Sequence, residues 1–310
     1  MPQQQRGVGL QARRVSADCR EVDGDGYFAA PVLPVPAAPA FPGWPAAPPL
    51  PGRRTPRLLL PVLVAALLLS GIGAVVSVER ARAAGGPPLH AVTTPAPASA
   101  GWGASYVDDL GRPARWDPCT PIHYVVQTRW EPAGGRADLA AALKRLAKAS
   151  GMVFVDDGDT DELPSQQRAA YQPARYGHRW APLLVGWLPP AQTDLGLGHG
   201  VAGVTVAVAL PGPKGGSIVT GQVALDADHA LPAGFGPGAT EGEVLLHELA
   251  HAVGLGHVLD PTQVMYPQTT NSESQYGAGD RAGLAALGRP AGCHPAPAPR
   301  NLRTVVTPAQ

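Results

Sequence analysis

His247-Glu248-Leu249-Ala250-His251 opens an eleven-residue stretch, HELAHAVGLGH, that ends at His257. Because His247 and His251 are four residues apart, both imidazoles lie on the same face if the stretch is an α-helix. Glu248 is adjacent to His247, so its carboxylate can reach a water molecule at that face without binding a metal itself. Two histidines at this spacing, with a glutamate between them, are typical of a zinc site in which the glutamate is the general base.

The residues around the stretch predict where this helix begins and ends. Thr240, followed three residues later by Glu243, is a capping box that predicts a helix start just after Thr240. Gly254 predicts the end, because glycine adopts the left-handed conformation of a helix C-terminus without strain. A continuous helix would carry His257 about 15 Å beyond His247, so only a turn at Gly254 brings both to one metal. Three histidines and one water make an open, catalytic zinc site.

Together with Val264-Met265-Tyr266-Pro267, this stretch resembles the metzincin metallopeptidases, and among them the matrixin-like (peptidase M10-type) group. The resemblance implies Glu248 as the general base, Met265 as the Met-turn below the metal, and Zn²⁺ ligands at His247, His251 and His257. It also implies an α+β fold, with a mixed, twisted sheet over a long active-site helix and a small C-terminal subdomain. A protein or peptide is the implied substrate.

Composition argues against nucleic acid as a partner and indicates a bacterial gene as the source. The net charge is zero and the isoelectric point is near 7.1, so the chain lacks the basic surface that nucleic-acid binding requires. Glycine (38) and proline (36) are abundant enough to lower the share of regular structure. Lysine is rare beside arginine and alanine, a bias typical of bacterial genes with a high GC content.

The first hundred residues predict a tail, a membrane anchor and a stalk. Residues 1–57 are rich in proline and predict a disordered tail. Residues 58–78 contain no charge over 21 positions, which matches a transmembrane helix. Arginines before this run favour a cytoplasmic N-terminus.

Cleavage of a signal peptide near Ala83, which would secrete the protein, is the alternative to this membrane anchor. Both alternatives place a catalytic domain (101–294) outside the membrane, after a stalk (79–100) and before a disordered tail (295–310).

Hydrophobic periodicity predicts the elements of the catalytic domain. Strands are predicted at 122–127, 152–155, 183–187, 204–210 and 222–225, and helices at 138–150, after Thr240 and at 280–287. Valines alternate with alanine and threonine over 204–210, which predicts a half-exposed strand. By the family resemblance this strand borders the cleft, where an exposed edge can bind an extended substrate. A protected edge with no such role is the alternative.

Two further groups of residues suggest a disulfide and a calcium site. Cys119 and Cys293 lie near the two ends of the predicted outer domain, and two cysteines in an exported domain predict one disulfide. Five acidic residues crowd a predicted loop, Asp156, Asp157, Asp159, Asp161 and Glu162. Oxygen ligands of this kind can hold Ca²⁺, and a solvated acidic turn is the alternative.

The sequence therefore predicts a single-pass membrane protein with an outward-facing zinc endopeptidase domain. Its alternative is a catalytically silent, zinc-bound domain that binds or adheres to the cell envelope. No cysteine-switch motif precedes the domain, so the sequence does not indicate how activity would be restrained.

Overall fold

The computed structural model describes residues 86–236, 238–268 and 274–302. In chain order its strands are β1 (Leu89–Ala91), β2 (Ala96–Pro97), β3 (Gly103–Ala104), β4 (Tyr106–Asp108), β5 (Ile122–Gln127), β6 (Phe154–Thr160), β7 (Leu183–Leu188), β8 (Gly203–Leu210), β9 (Ser217–Asp226), β10 (Leu255–Gly256) and β11 (Val258–Leu259). Its α-helices are α1 (Gly135–Ser150), α2 (Pro173–Tyr176), α3 (Glu241–Ala252) and α4 (Ala278–Leu287). Short 3-10 turns cover Ala98–Ala100, Pro190–Gln192 and Arg289–Ala291.

A five-stranded mixed sheet in the order β6-β5-β7-β9-β8 is the centre of the fold. The first four strands of that order run parallel, and β8 runs antiparallel to β9 at one end. The strands β5, β7 and β9 are buried along nearly their whole length, as parallel strands covered on both faces usually are. The mixed α+β architecture predicted from the sequence is confirmed.

Helices α1, α3 and α4 cover one face of the sheet. Their apolar side chains, among them Leu139, Leu245 and Leu284, form a single core with inward side chains of β5, β7 and β9. Loop residues such as Leu195 and Leu197 cover the opposite face near β7 and β8. The helix that carries His247 and His251 thus packs on β8 and β9 of the sheet and lies beside α1.

Four predicted strands lie where the sequence places them, but two details of the prediction are wrong. The strand β8 is not half-exposed, because Val204 and Val206 face the loop cluster while Ala207 and Ala209 pack beneath the N-terminal residues. The second strand is predicted at 152–155 and is found at Phe154–Thr160, so it contains much of the acidic segment.

Acidic side chains are compatible with β6 because they lie on a sheet edge beside basic groups. Asp156 and Asp159 contact Arg136 of α1, and Asp157 accepts a hydrogen bond from His123 at 2.7 Å. Asp161 pairs with Arg175 of α2. Charged side chains are a common way to protect the edge strand of a sheet from further pairing.

The N-terminal residues differ from the predicted stalk. Residues 89–91 pair antiparallel with 106–108, and residues 96–97 pair with 258–259. The segment therefore folds onto the domain instead of leading away from it. The predicted tail (1–57), the predicted transmembrane helix (58–78) and residues 303–310 lie outside the described ranges. Of the helices within those ranges, none is both long and apolar enough to cross a bilayer.

A disulfide joins Cys119, ahead of β5, to Cys293, after α4, with their Cα atoms 5.3 Å apart. The carboxylate of Asp117 accepts hydrogen bonds from the backbone N–H of Cys119 at 3.1 Å and of His294 at 3.0 Å. The link predicted from the two cysteines is therefore present, and it ties the chain's entry into the sheet to its exit from α4.

Candidate active site

Three imidazoles converge at the C-terminal end of α3. The Nε2 atoms of His247 and His251 are 3.1 Å apart. The Nε2 atom of His257 lies 3.2 Å from the first and 3.0 Å from the second. The structure thus brings together the three histidines that the motif predicts, two from one helical face and one from the connection between β10 and β11.

The turn after α3 brings His257 back. Gly254 has φ +104°, a conformation that residues with a side chain rarely adopt, and its N–H donates to the carbonyl of His251 at 2.9 Å. A Cβ atom at this position would also lie 2.9 Å from the carbonyl oxygen of Ala114. Both the backbone conformation and the close packing therefore require glycine here.

Backbone carbonyls orient two of the three rings. The Nδ1 atom of His247 lies 2.7 Å from the carbonyl oxygen of Val264, and Nδ1 of His251 lies 2.7 Å from that of Leu255. A carbonyl only accepts hydrogen bonds, so each Nδ1 carries the proton. Each neutral ring then directs the lone pair of Nε2 towards the other histidines.

The donor set fits a zinc ion. Tetrahedral bonds of 2.0–2.1 Å would place nitrogen ligands about 3.3 Å apart, close to the separations found here. Burial, followed by the neighbouring histidines, lowers the pKa of His251, and burial and then His247 lower the pKa of His257 to about 4. The neutral form, which is the form that binds metal, is therefore favoured at neutral pH.

Glu248 lies beside this cluster, and β8 fixes its position. The side chain is buried (6% exposed), and burial raises the pKa of its carboxyl group more than His247 and Thr205 lower it. The hydroxyl of Thr205 donates to Oε2 of Glu248 at 2.7 Å. A Cβ atom on Gly203 would lie 2.6 Å from Cγ of Glu248, so the strand backbone approaches the side chain closely.

Met265 lies in a turn that Asp280 holds in place. The side chain of Met265 is 1% exposed. The carboxylate of Asp280, in the first turn of α4, accepts from the backbone N–H of Val264 at 2.8 Å and of Met265 at 3.3 Å. Because the carbonyl of Val264 accepts from His247, this carboxylate is connected to a metal-binding ring through one peptide unit.

Sequence reasoning missed Gly203, Thr205 and Asp280. No local signal marks the first two, because their contact with Glu248 depends on how β8 packs against α3. Asp280 carries a weak signal, since an aspartate in the first turn of a helix commonly accepts from backbone N–H groups.

The histidines and Glu248 border an open cleft of about 640 Å³. One side is formed by β8 and the residues before it, and the other by the Met265 turn and the N-terminal residues Val92 and Thr93. As the family resemblance implies, β8 therefore edges the cleft. In the order of the sheet it is the end strand.

Within the described ranges, a second cluster of possible metal ligands is formed by Asp117, Cys119 and Cys293. Its two sulfur atoms form the disulfide, so they are not available as ligands. The acidic residues of β6 form no such cluster in this part of the chain, and their carboxylates contact basic groups. A calcium site at β6 is therefore not supported.

A sequence model of the Matrixin family of peptidases matches residues 185–287. The matched range begins in β7, ends with α4 and contains the three histidines, Glu248 and the Met265 turn. A comparison with curated proteins gives no match. The Matrixin match supports a matrixin-like zinc metallopeptidase, and the match to that family implies a catalytic zinc and a protein or peptide substrate.

Proposed function

We propose that this chain is a zinc-dependent endopeptidase whose metal is held by His247, His251 and His257. The observation that carries the proposal is the convergence of three Nε2 atoms beside the buried carboxylate of Glu248 in an open cleft. When bound, Zn²⁺ would supply Lewis-acid activation of water and of the scissile carbonyl.

Glu248 is the general base in this proposal. Its carboxylate accepts a proton from the attacking water and returns it to the amine that leaves when the C–N bond breaks. The hydroxyl of Thr205 occupies Oε2 of that carboxylate, which leaves Oε1 to accept the proton. His247 and His251 keep their protons on Nδ1, fixed by the carbonyls of Val264 and Leu255, and take no part in this transfer.

The substrate that fits the cleft is an extended peptide. In the described part of the chain β8 pairs with β9 on one side only, so its other edge can add a peptide strand. The carbonyl of Ala207 on β8 accepts from the hydroxyl of Tyr106 at 2.8 Å, which limits the pairing to the residues before Ala207. Val92 (40% exposed) and Val201 (41% exposed) line the cleft and can contact apolar substrate side chains.

We propose further that the domain faces the outside of a membrane, anchored by residues 58–78. Support comes from the uncharged run, the arginines that precede it and the disulfide, which is a bond typical of exported proteins. Sequencing the N-terminus of the exported protein tests this. If the exported protein still contains residues 58–78, the anchor is supported. If it begins near Ala84, the protein is secreted after cleavage.

Replacement Glu248→Gln tests the catalytic proposal. The amide keeps the shape of the side chain but cannot accept the proton, so kcat should fall by about 10²- to 10⁴-fold. The zinc content per chain should stay that of the wild type. Glu131→Gln is the matched control, because Glu131 accepts a hydrogen bond from Arg136 at the start of α1. Full activity in Glu248→Gln would refute the role of this residue.

A further inference from the structure

The N-terminal segment, defined as residues 89–106, packs against the loop that carries His257. This histidine lies between β10 and β11. The strand β10 pairs antiparallel with β3 of the segment, and β11 pairs parallel with β2. The chain is therefore held on both sides of His257 by residues that precede the large sheet in sequence.

Hydrogen bonds from the segment reach the backbone groups that orient the metal-binding rings. The hydroxyl of Ser105 donates to the carbonyl of Leu255 at 2.8 Å, and the same carbonyl accepts from Nδ1 of His251 at 2.7 Å. The backbone N–H of Ala96 donates to the carbonyl of His257 at 2.9 Å. One residue of the segment thus shares an acceptor with His251, and another bonds directly to the backbone of His257.

The N-terminal segment contacts the loop of His257 through backbone atoms, and neither Gly103 nor Gly256 has room for a Cβ atom. A Cβ atom on Gly103 would lie 2.8 Å from the carbonyl oxygen of His257. A Cβ atom on Gly256 would lie 2.7 Å from the carbonyl group of Ala104. These two glycines therefore allow the close approach on which both strand pairs depend.

The segment is also fixed at places away from this loop. Tyr106 is 1% exposed, and its hydroxyl donates to the carbonyl of Ala207 on β8. The ring of Trp102 packs so closely on α4 that a Cβ atom at Gly283 would lie 2.9 Å from it. The segment thus connects the loop of His257 to the opposite side of the cleft and to the C-terminal helix.

We infer that the N-terminal segment is part of the metal centre, with Ser105 as a positioning residue for His251. The inference rests on the proposed zinc site. Ser105 acts through the carbonyl of Leu255, which accepts both from its hydroxyl and from Nδ1 of His251. Removing such an outer partner of a ligand typically costs 10- to 100-fold in metal affinity or activity.

The test measures metal binding by the full-length chain, without any peptide. The zinc dissociation constant is obtained at fixed pH by competition with a chromophoric chelator, and the visible absorption of the Co²⁺-substituted protein reports on ligand geometry. For Ser105→Ala we expect zinc to bind about 10-fold more weakly and the Co²⁺ bands to change. Ser105→Thr keeps the hydroxyl and should restore both readouts towards wild type.

Ser150→Ala is the matched control for loss of a serine hydroxyl that donates to a backbone carbonyl. Its hydroxyl donates to the carbonyl of Leu146 in α1 at 2.7 Å, so the variant should lower the melting temperature and leave zinc affinity unchanged. The inference is overturned if Ser105→Ala binds both metals as the wild type does, or if Ser150→Ala weakens zinc binding equally. Weaker zinc binding in a chain that never cleaves peptides would support the inference and count against the proposed peptidase.

Discussion

Two residues on β8 govern the position of the Glu248 carboxylate. Gly203 leaves space for its side chain and Thr205 donates a hydrogen bond to it, so the general base is placed by a strand distant in sequence. Changes at either residue should therefore affect turnover without affecting the metal. This separation distinguishes the positioning of the base from the formation of the zinc site.

Gly203→Ala is expected to displace Glu248. The added Cβ would lie 2.6 Å from Cγ of Glu248, and the flexible side chain can yield more easily than the strand. A misplacement of about 1 Å can cost about 100-fold in rate, so we expect kcat to fall by that order. Steady-state peptide cleavage and zinc content per chain measure the two effects.

Gly236→Ala is the control for this change, because a Cβ at Gly236 has no heavy atom within 4 Å. It should leave activity unchanged. If Gly203→Ala cleaves peptides at the wild-type rate, the close approach of β8 to Glu248 is not needed for the reaction.

Thr205→Val removes the hydroxyl that holds Oε2 of Glu248 and keeps the branched shape of the side chain. We expect kcat to fall about 10-fold, an amount that matches the loss of one hydrogen bond to a charged group. Thr205→Ser, which keeps the hydroxyl, should stay near the wild-type rate. Equal rates for the valine and serine variants would show that this bond does not position the base.

The carboxylate of Asp280 in α4 holds the Met265 turn in place. Asp280→Ala would leave the backbone N–H groups of Val264, Met265 and Gly277 without that acceptor. We expect the free energy of unfolding to fall by about 2–4 kcal/mol, since unsatisfied buried donors are costly. Zinc should also bind about 10-fold more weakly, because the turn supplies the acceptor for His247.

Denaturant titration and chelator competition measure these two effects. Asp138→Ala is the control, since Asp138 in the first turn of α1 likewise accepts from a backbone N–H of a distant loop, that of Gly234, and within the described ranges makes no bond to the Met265 turn. Wild-type zinc affinity in Asp280→Ala would show that α4 stabilises the fold without positioning the turn.

Glu162, which follows β6, makes the free energy of unfolding depend on pH under acidic conditions. Burial is the largest influence on the pKa of Glu162 and would raise it, but Arg168, Tyr176 and Gln172 together lower the pKa below its usual 4.5. The unfolded chain then binds more protons at low pH, so this contribution is present above about pH 4.5 and is lost below it. Urea unfolding of wild type and Glu162→Gln should give a difference that shrinks on acidification. A difference that stays constant down to about pH 3 would contradict this assignment.

The sequence best predicts those parts of the site whose residues lie close together in the chain. The helix, the turn at Gly254 and the three histidines lie within one continuous stretch, so spacing alone predicts that they converge. The partners of those residues come from elsewhere in the chain. Ser105, Thr205 and Asp280 contact the site only because separate strands and helices pack around α3, and no short-range pattern encodes that packing.

The structure differs from the sequence prediction in two elements, and each difference has a physical reason. The run of acidic residues after Val155 predicts a loop, yet an edge strand tolerates these charges because arginines of α1 and α2 face them. Residues 79–100 predict a stalk from their glycine, proline, alanine and threonine content. In the structure residues 96–97 of that range pair with 258–259, and Gly103, just beyond the range, makes a close backbone contact with the loop of His257.

For the molecule as a whole, the disulfide closes a loop with a sequence separation of 174 residues. In the loop-closure account a bridge of this span stabilises the folded state by about 5 kcal/mol, and measured values are typically 2–5 kcal/mol. We expect the double variant Cys119→Ser/Cys293→Ser to lose stability within that range while keeping its zinc affinity. Loss of zinc binding in the folded variant would show that the bridge also supports the metal centre.

Cleavage of a mixed peptide library by the purified, zinc-loaded full-length chain tests the central claim most directly. The account predicts cuts within extended peptides that disappear when a chelator removes the metal and return when zinc is restored. The same cuts should be absent with Glu248→Gln. A chain that holds one zinc ion and cuts no peptide would contradict the account and indicate a zinc-bound binding module instead.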